Sequence, residues 1–306
     1  MLRSIFIILS IFLGAFNAMG NSDKVLITIN QFVSHPALDE SKQGIEEALK
    51  KRGLLPDKVN IRLDNAQGNI AASVQIAKHQ TSLSPKFMIA IATPSAQSNL
   101  KAVKDNSTLA FVAVTDPETA GLTSQKNIIG VSDQLPLFEL LEVSLRLIPN
   151  IKTIGVIFNS GEVNSAQIIE KLEIVALEKN IRIEKASITS STNIKVATQS
   201  LIGKVDIIYI PLDNSVVSGL ANLIQVSSKA NIPVIANDPS LIDKGILLAL
   251  GSDYFKSGEQ LGNMIADLIE NKKLASNIQT SNVKELKINK GVAAKLNIII
   301  PADFNY

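Results

Sequence analysis

Six apolar runs, each ending in small polar residues and leading into a helical pattern, constrain this chain more than any other feature. They fall into two sets of three. The first set reads KVLITINQFVSHP from Lys24, FMIAIATPSAQ from Phe87 and AFVAVTDPE from Ala110. The second reads TIGVIFNSGEVNS from Thr153, DIIYIPLDNSVVS from Asp206 and PVIANDPS from Pro233. In a parallel sheet such polar ends lie along the carboxyl edge, where ligands bind in open α/β folds. Two such edges facing one another make a cleft lined from both sides. Matched units keep a nearly constant offset: Ile91 and Ile210 lie 119 positions apart, Asp116 and Asp238 122 apart. That is the pattern of two copies of one topology, with little side-chain identity left between them.

Strands are expected at 25–29, 59–63, 87–92 and 109–114, separated by helices over 36–52, 70–80 and 95–104. The alternation restarts with a helix over 137–147 and strands at 153–158, 181–186, 205–210, 233–236 and 247–250. Helices at 165–180, 193–202 and 216–230 lie between them, followed by a long amphipathic helix over 254–271 and a last strand at 283–288. Such βαβ spacing predicts an α/β fold with parallel sheets. At 306 residues the chain exceeds what one core organises, so two doubly wound parallel-sheet lobes are expected.

Hydrophobic residues make up 46% and charged residues 19%, a globular balance. The 30 Lys+Arg nearly match the 28 Asp+Glu, which argues against nucleic acid or a general acidic partner. The chain contains no cysteine, which excludes disulfides, thiol catalysis, thiolate metal sites and lipid attachment at an N-terminal Cys. Arg3 followed by the apolar residues 5–16 and by Ala18-Met19-Gly20 has the form of a signal peptide over residues 1–20. Its apolar stretch is 12 residues, short of the ~20 that a spanning helix needs. An uncleaved anchor or a core helix is the competing reading. Cleavage before Asn21 would deliver a periplasmic protein.

Proline follows His35, Thr93, Asp116 and Asp238 at four strand ends, the place for a first helical residue. Helix capping alone accounts for part of this pattern. Thr93-Pro94-Ser95-Ala96 is the sharpest ligand candidate: backbone N–H groups at a helix start, beside two hydroxyls, suit a carboxylate. Asp116, Asp213 and Asp238 end three other strands. A carboxylate lining a closed cleft is costly unless a cation meets it, and an ammonium group is the natural partner. Together these describe an α-amino acid, with Asn159, Glu162, Asn164 and Ser165 adding hydrogen-bonding groups. On this reading Asp213→Ala weakens binding more than folding. Phe32, Phe158 and Tyr254 could line an apolar side-chain pocket or simply pack in the core.

No G-x-S-x-G, H-E-x-x-H, Walker A or G-x-G-x-x-G motif occurs. His79 sits in an amphipathic helix and is read as solvent-facing. His35 lies in a cleft loop without a nearby nucleophile, so it is not read as a base. No metal-ligand spacing occurs, and no cofactor, metal or catalytic residue is expected.

Ser34-His35-Pro36-Ala37-Leu38-Asp39, Asn65-Ala66-Gln67-Gly68-Asn69, Ile91-Ala92-Thr93-Pro94-Ser95-Ala96-Gln97 and Val114-Thr115-Asp116-Pro117 together resemble the substrate-binding proteins of ABC transporters. The branch is the one that includes tryptophan/tyrosine transport binding proteins. Further matching segments are Gly130-Val131-Ser132-Asp133, residues 155–165, 211–218 and 251–254, and the resemblance spans about residues 24–301. It implies a type I periplasmic-binding-protein fold with two lobes and three crossovers. Lobe I would be residues 24–132 plus 253–274, and lobe II 133–252 plus 275–306. It implies ligand contacts at Ser34, His35, Gln67 and Thr115 in the first half, and at Phe158, Asn214 and Tyr254 beyond it. Where relatives often carry Tyr-Asn-Pro-Gly, this chain has Phe158-Asn159-Ser160-Gly161, a departure that bears on ligand preference.

The function expected is an extracytoplasmic solute-binding component of an ABC importer. It would trap an amino acid, an aromatic one among the candidates, by hinge closure and deliver it to an inner-membrane permease, as a monomer. The alternative is a receptor module of the same fold that passes closure to a signalling partner.

Overall fold

The computed structural model describes residues 24–124 and 127–304. The signal peptide expected over residues 1–20 lies outside them. The chain opens with β1 (Val25–Gln31), α1 (Pro36–Lys51), β2 (Val59–Asn65), α2 (Ile70–Ser82), β3 (Phe87–Ile91), α3 (Thr93–Ala102), β4 (Thr108–Val114) and β5 (Ile128–Ser132). Proline at the start of α1 has no N–H to leave unpaired, and Lys50 and Lys51 face the negative end of the helix dipole. Leu38, Ile45 and Leu49 form the buried stripe of that helix. β3 is buried along its whole length, as a central parallel strand covered on both faces must be.

The second half repeats the scheme with α4 (Leu137–Leu147), β6 (Thr153–Asn159), α5 (Val163–Glu178), β7 (Arg182–Ile188), α6 (Ile194–Leu201) and β8 (Ile207–Ile210). Then come α7 (Asn214–Ser218), α8 (Leu220–Lys229), β9 (Val234–Ala236), a 3₁₀ turn over Pro239–Lys244 and β10 (Leu248–Ser252). The chain ends with α9 (Tyr254–Ile269), β11 (Ile278–Thr280), β12 (Lys284–Ile288) and α10 (Lys290–Lys295). The helix expected over 216–230 is split at Gly219. A Cβ there would come within 2.4 Å of Ile194 Cδ1 and 3.0 Å of Ser191 O, so the glycine lets α6 pack closely on this corner.

Two six-stranded sheets result, ordered β11-β5-β4-β3-β1-β2 and β12-β10-β9-β8-β6-β7. Among the described residues only β12 runs antiparallel to its neighbour. Each sheet has a core on either face; Ile27, Ile29, Phe87 and Ile89 anchor one, Ile154, Val156 and Tyr209 another. These are the two parallel-sheet lobes that the alternation of strands and helices predicted, in the type I architecture that the resemblance implied. α9 returns from the second sheet and packs on α1 at very short range: a Cβ on Gly44 would sit 2.1 Å from Phe255 O, and one on Gly258 2.1 Å from Ser41 O.

Three chain segments cross between the sheets, and they are bonded to one another. Gln134 N donates to Ser252 Oγ (2.8 Å), Gln134 Nε2 to Ser281 O (2.6 Å) and Asp253 N to Val283 O (3.1 Å). Residues 275–306 do not all belong with the second lobe: β11 pairs with β5 at the edge of the first sheet before the chain crosses to β12. Three residues, IQT, carry no apolar run from which a strand could be read. β5 was also absent from the strands expected. Among the described residues no helix is long and apolar enough to cross a membrane.

Candidate functional site

The carboxyl edges of the two sheets face each other across an empty volume of ≈ 350 Å³. From the first sheet and its helices come His35, Leu38, Thr93, Ala113, Thr115 and Tyr254, with Asp133 just past the end of β5. From the second come Asn164, Leu212, Asp213, Asn214, Val217 and Asp238. Among the described residues no lysine or arginine lines this space.

Backbone strain gathers at its rim. Ala92, just before α3, has φ +86°, and Ala113, at a register shift in β4, has φ +56°. Non-glycine residues adopt such angles at a cost, and they concentrate where a loop must be aimed. Here they turn Thr93 toward the cleft. A buried network braces this corner from behind: Asn30 Nδ2 donates to Asn99 Oδ1 (3.0 Å) and Ser73 Oγ (3.1 Å), and Ser95 Oγ donates to Asn30 Oδ1 (3.3 Å). The Ser95 hydroxyl therefore points into the lobe. The Ala96 amide is taken by Ala92 O at 3.0 Å, and Pro94 lies within the helix. Thr93 alone of that quartet lines the cleft, as a first-turn helical residue rather than a cap.

The second lobe's polar residues largely satisfy one another. Asp213 Oδ1 accepts from Val216 N (2.9 Å), while Oδ2 accepts from Asn159 N and Ser165 Oγ (both 2.6 Å). Burial and the nearby Glu162 charge still push its carboxyl up to about 7. Glu162 accepts from Asn214 Nδ2 (2.7 Å), Ser215 N (2.9 Å) and Ser215 Oγ (2.8 Å). Asp238 caps the 3₁₀ turn through Ser240 N and Oγ, and burial raises its carboxyl against those bonds and against His35. Asn159, Glu162 and Ser165 thus stand behind the cavity and hold its wall.

Three expected contacts fall away from the cleft edge. Ser34 is exposed and bonds Asp39 Oδ2 (2.7 Å), Gln67 is exposed, and Phe158 packs on the second lobe's core. Phe32 likewise belongs to the first lobe's core. Asp116 does not reach the cavity: its carboxylate accepts from Thr119 N and pairs with Lys171 of α5 at 3.3 Å, an ion pair between the lobes. That pairing, with the Thr119 bond, holds its carboxyl below the usual range despite some burial. His79 is exposed, as its helix position implied.

Three buried polar atoms of the lining have no partner: Asp133 Oδ1, His35 Nδ1 and Asn164 Oδ1. All three are acceptors. Asn214 spends its amide nitrogen on Glu162, so its Oδ1 faces His35 Nε2 at 3.2 Å, and that nitrogen must carry the proton. Burial lowers the His35 pKa, with Asp238 opposing, so the ring is neutral and Nδ1 holds a lone pair. Asn164 donates its amide to Leu212 O at 2.6 Å, which leaves its oxygen over the cleft. Asp133 was not among the residues expected to bind. It follows β5 directly and carries the same signature of a strand ending in Asp. Burial and the Asp238 charge push its carboxyl up to about 7, with the Tyr254 hydroxyl acting the other way.

The ABC transporter substrate binding protein family model matches residues 26–304. A tyrosine-binding protein of Clostridioides difficile is 34% identical over 279 residues, covering 89% of this chain and 81% of its own. Among solved structures, an ABC domain in complex with L-Trp from Streptococcus pneumonia is 29% identical, with 91% of this chain and 96% of that one covered, at a TM-score of 0.86. A ligand-free, open structure of a substrate-binding protein with adhesive properties from Clostridium difficile is 32% identical with the same coverage, at a TM-score of 0.68. In this chain the lobes touch across the cleft, through the Asp116–Lys171 ion pair at 3.3 Å and the His35 Nε2–Asn214 Oδ1 contact at 3.2 Å.

Proposed function

The chain belongs to the family of ABC transporter substrate-binding proteins, and from that premise we propose that it captures an amino acid, an aromatic one first, and hands it to a membrane permease. The observation that carries this reading is the trio of unpaired acceptors, Asp133 Oδ1, His35 Nδ1 and Asn164 Oδ1, around a cavity without a lysine or arginine. A buried acceptor left unpaired costs about 1–3 kcal/mol, so the occupant brings donors. An ammonium is a cation with three N–H donors and no acceptor. Asp133, with Asp238 beside it, is its counter-charge.

The ligand's carboxylate sits at the start of α3. In its first turn Pro94 has no N–H and the Ala96 amide is taken by Ala92 O, which leaves the Thr93 and Ser95 amides for an anion that the helix dipole favours. Thr93 and Thr115 bring hydroxyls to the same side of the cavity. Leu38, Leu212 and Val217 form the apolar wall for the side chain. No bond is made or broken: the ligand bridges the lobes and stabilises the closed form that a permease reads. The protein acts outside the cytoplasmic membrane, as a monomer, after loss of residues 1–20.

Native mass spectrometry of protein starting at Asn21, before and after release of bound small molecules, tests this, followed by thermal shift against the amino acids. A co-purifying amino acid that raises the melting temperature names the cargo. No bound species and no shift across the panel sinks the amino-acid reading and leaves the fold untouched.

A further inference from the structure

Carboxyl groups of the two lobes lie close to each other at two places in this structure. Inside the cavity, Asp133 at the end of β5 faces Asp238 of the second lobe. Beside it, Glu40 lies on α1, which packs against the 3₁₀ turn that Asp238 caps, and it feels the same Asp238 charge. Asp133 is only 8% exposed, and its Oδ1 has no partner. The Tyr254 hydroxyl on α9 is the group that favours its charged form.

The other charges facing this cluster do not neutralise it. Around Glu40 stand Asp253 at the start of α9, and Glu285 and Lys287 on β12. Lys287 also faces Asp238, yet it is paired with Glu285 at 2.7 Å. His35 faces Asp238, Asp39 and Glu162, and burial lowers its pKa against those charges. Ser240 satisfies Asp238 Oδ1 through its amide and hydroxyl, which orders that carboxylate but adds no positive charge. Pressing ionised carboxyls together while removing water is unfavourable twice, through repulsion and through lost hydration.

We propose that the carboxyl groups of Glu40, Asp133 and Asp238 form an electrostatic gate that opposes closure of the empty cleft, and that it is released by a ligand ammonium beside Asp133 or by protons. The first release rests on the amino-acid reading above; the second does not. An empty binding protein that stays open does not present the closed form to its permease, so transport is not triggered without cargo. Titration follows the same geometry. Glu40 and Asp133 are each pushed up to about 7 in this closed arrangement, by burial first and by Asp238 next. A carboxyl whose pKa is higher in the closed form takes up a proton on closing. Closure is therefore opposed in full above about pH 7 and eased as pH falls from there toward the ordinary carboxylate range.

The chain has no cysteine, so Lys101→Cys on α3 and Lys195→Cys on α6, both exposed, give one spin-label site per lobe without background. The distance between the labels is read on ligand-free protein, and Kd is measured with L-tyrosine and L-tryptophan as probes. The wild-type distribution is expected to be long at pH 8 and to gain a short component at pH 5.5. Glu40→Gln removes a charge that lies outside the cavity lining. It is expected to show the short component already at pH 8 and to bind the probes about tenfold more tightly there, the gap narrowing toward pH 5. Asp133→Asn is expected to gain the same short component while binding the probes more weakly. Should Glu40→Gln fail to fold, Asp133→Asn carries the distance test. Distances unchanged between pH 8 and 5.5, and unchanged in the variants, overturn the gate. If neither amino acid binds, the ligand-free distances still decide it, so loss of the amino-acid reading is told apart from loss of the gate.

Discussion

Asp133 and Asp213 both end a buried strand at the mouth of the same cavity, and they are opposite in kind. Asp213 is surrounded by donors from its own lobe, at Val216 N, Asn159 N and Ser165 Oγ. Asp133 has one oxygen facing the cavity with no donor at all. The first lobe brings two unmet acceptors to the cleft, Asp133 Oδ1 and His35 Nδ1; the second brings a wall bonded to itself except at Asn164 Oδ1. A strand that ends in Asp is therefore not in itself a ligand signature. What separates a cap from a contact is whether the local chain has enough donors to consume the carboxylate.

The comparison breaks or sharpens at four places. The largest effect is expected at Asp213→Ala. It strands three donors and removes a cap, and should cost about 3 kcal/mol of unfolding free energy in urea titration. This reverses the expectation drawn from sequence that binding would suffer more than folding. A variant of wild-type stability with lost affinity would restore Asp213 as a contact. Asp133→Asn comes next, lowering amino-acid affinity by about 2 kcal/mol, or roughly thirtyfold, by isothermal titration, with the melting temperature at neutral pH held or raised. Equal loss of stability would make Asp133 another structural carboxylate.

Smaller effects test the rim. Ala92→Gly frees a residue at φ +86° and should stabilise the protein by about 1 kcal/mol in the same urea titration. A destabilised variant would mean that the alanine methyl packs more than its backbone strains. Lys171→Ala removes the ion pair with Asp116 between the lobes, 3.3 Å long and half-exposed on the lysine side. Surface pairs of this sort contribute about 0–1 kcal/mol, so affinity should fall about twofold and the difference should vanish in high salt. A larger, salt-independent loss would place Asp116 in the ligand site after all.

The sequence by itself determined the architecture. Apolar runs of strand length, restarting after about 120 positions, leave little choice but two parallel sheets whose polar loop ends meet. Eight of the cavity residues were expected, some, such as Thr93, Asn164, Asp213 and Asp238, because position at a strand's carboxyl end is local information, and others, Thr115, Asn214 and Tyr254, through the family resemblance. Short β11 was hidden, since three residues pair at a sheet edge without needing an apolar run, and the split of α7 from α8 was hidden because the reason for Gly219 lies on α6. Only the tertiary structure decided which polar atoms remain unpaired. Ser95 looked like a ligand hydroxyl until Asn30, 65 positions away, took it. Asp116 looked like Asp238 until Lys171 claimed it. Donors and acceptors are consumed by neighbours in space, so the free valences that make a binding site exist only once the chain has folded.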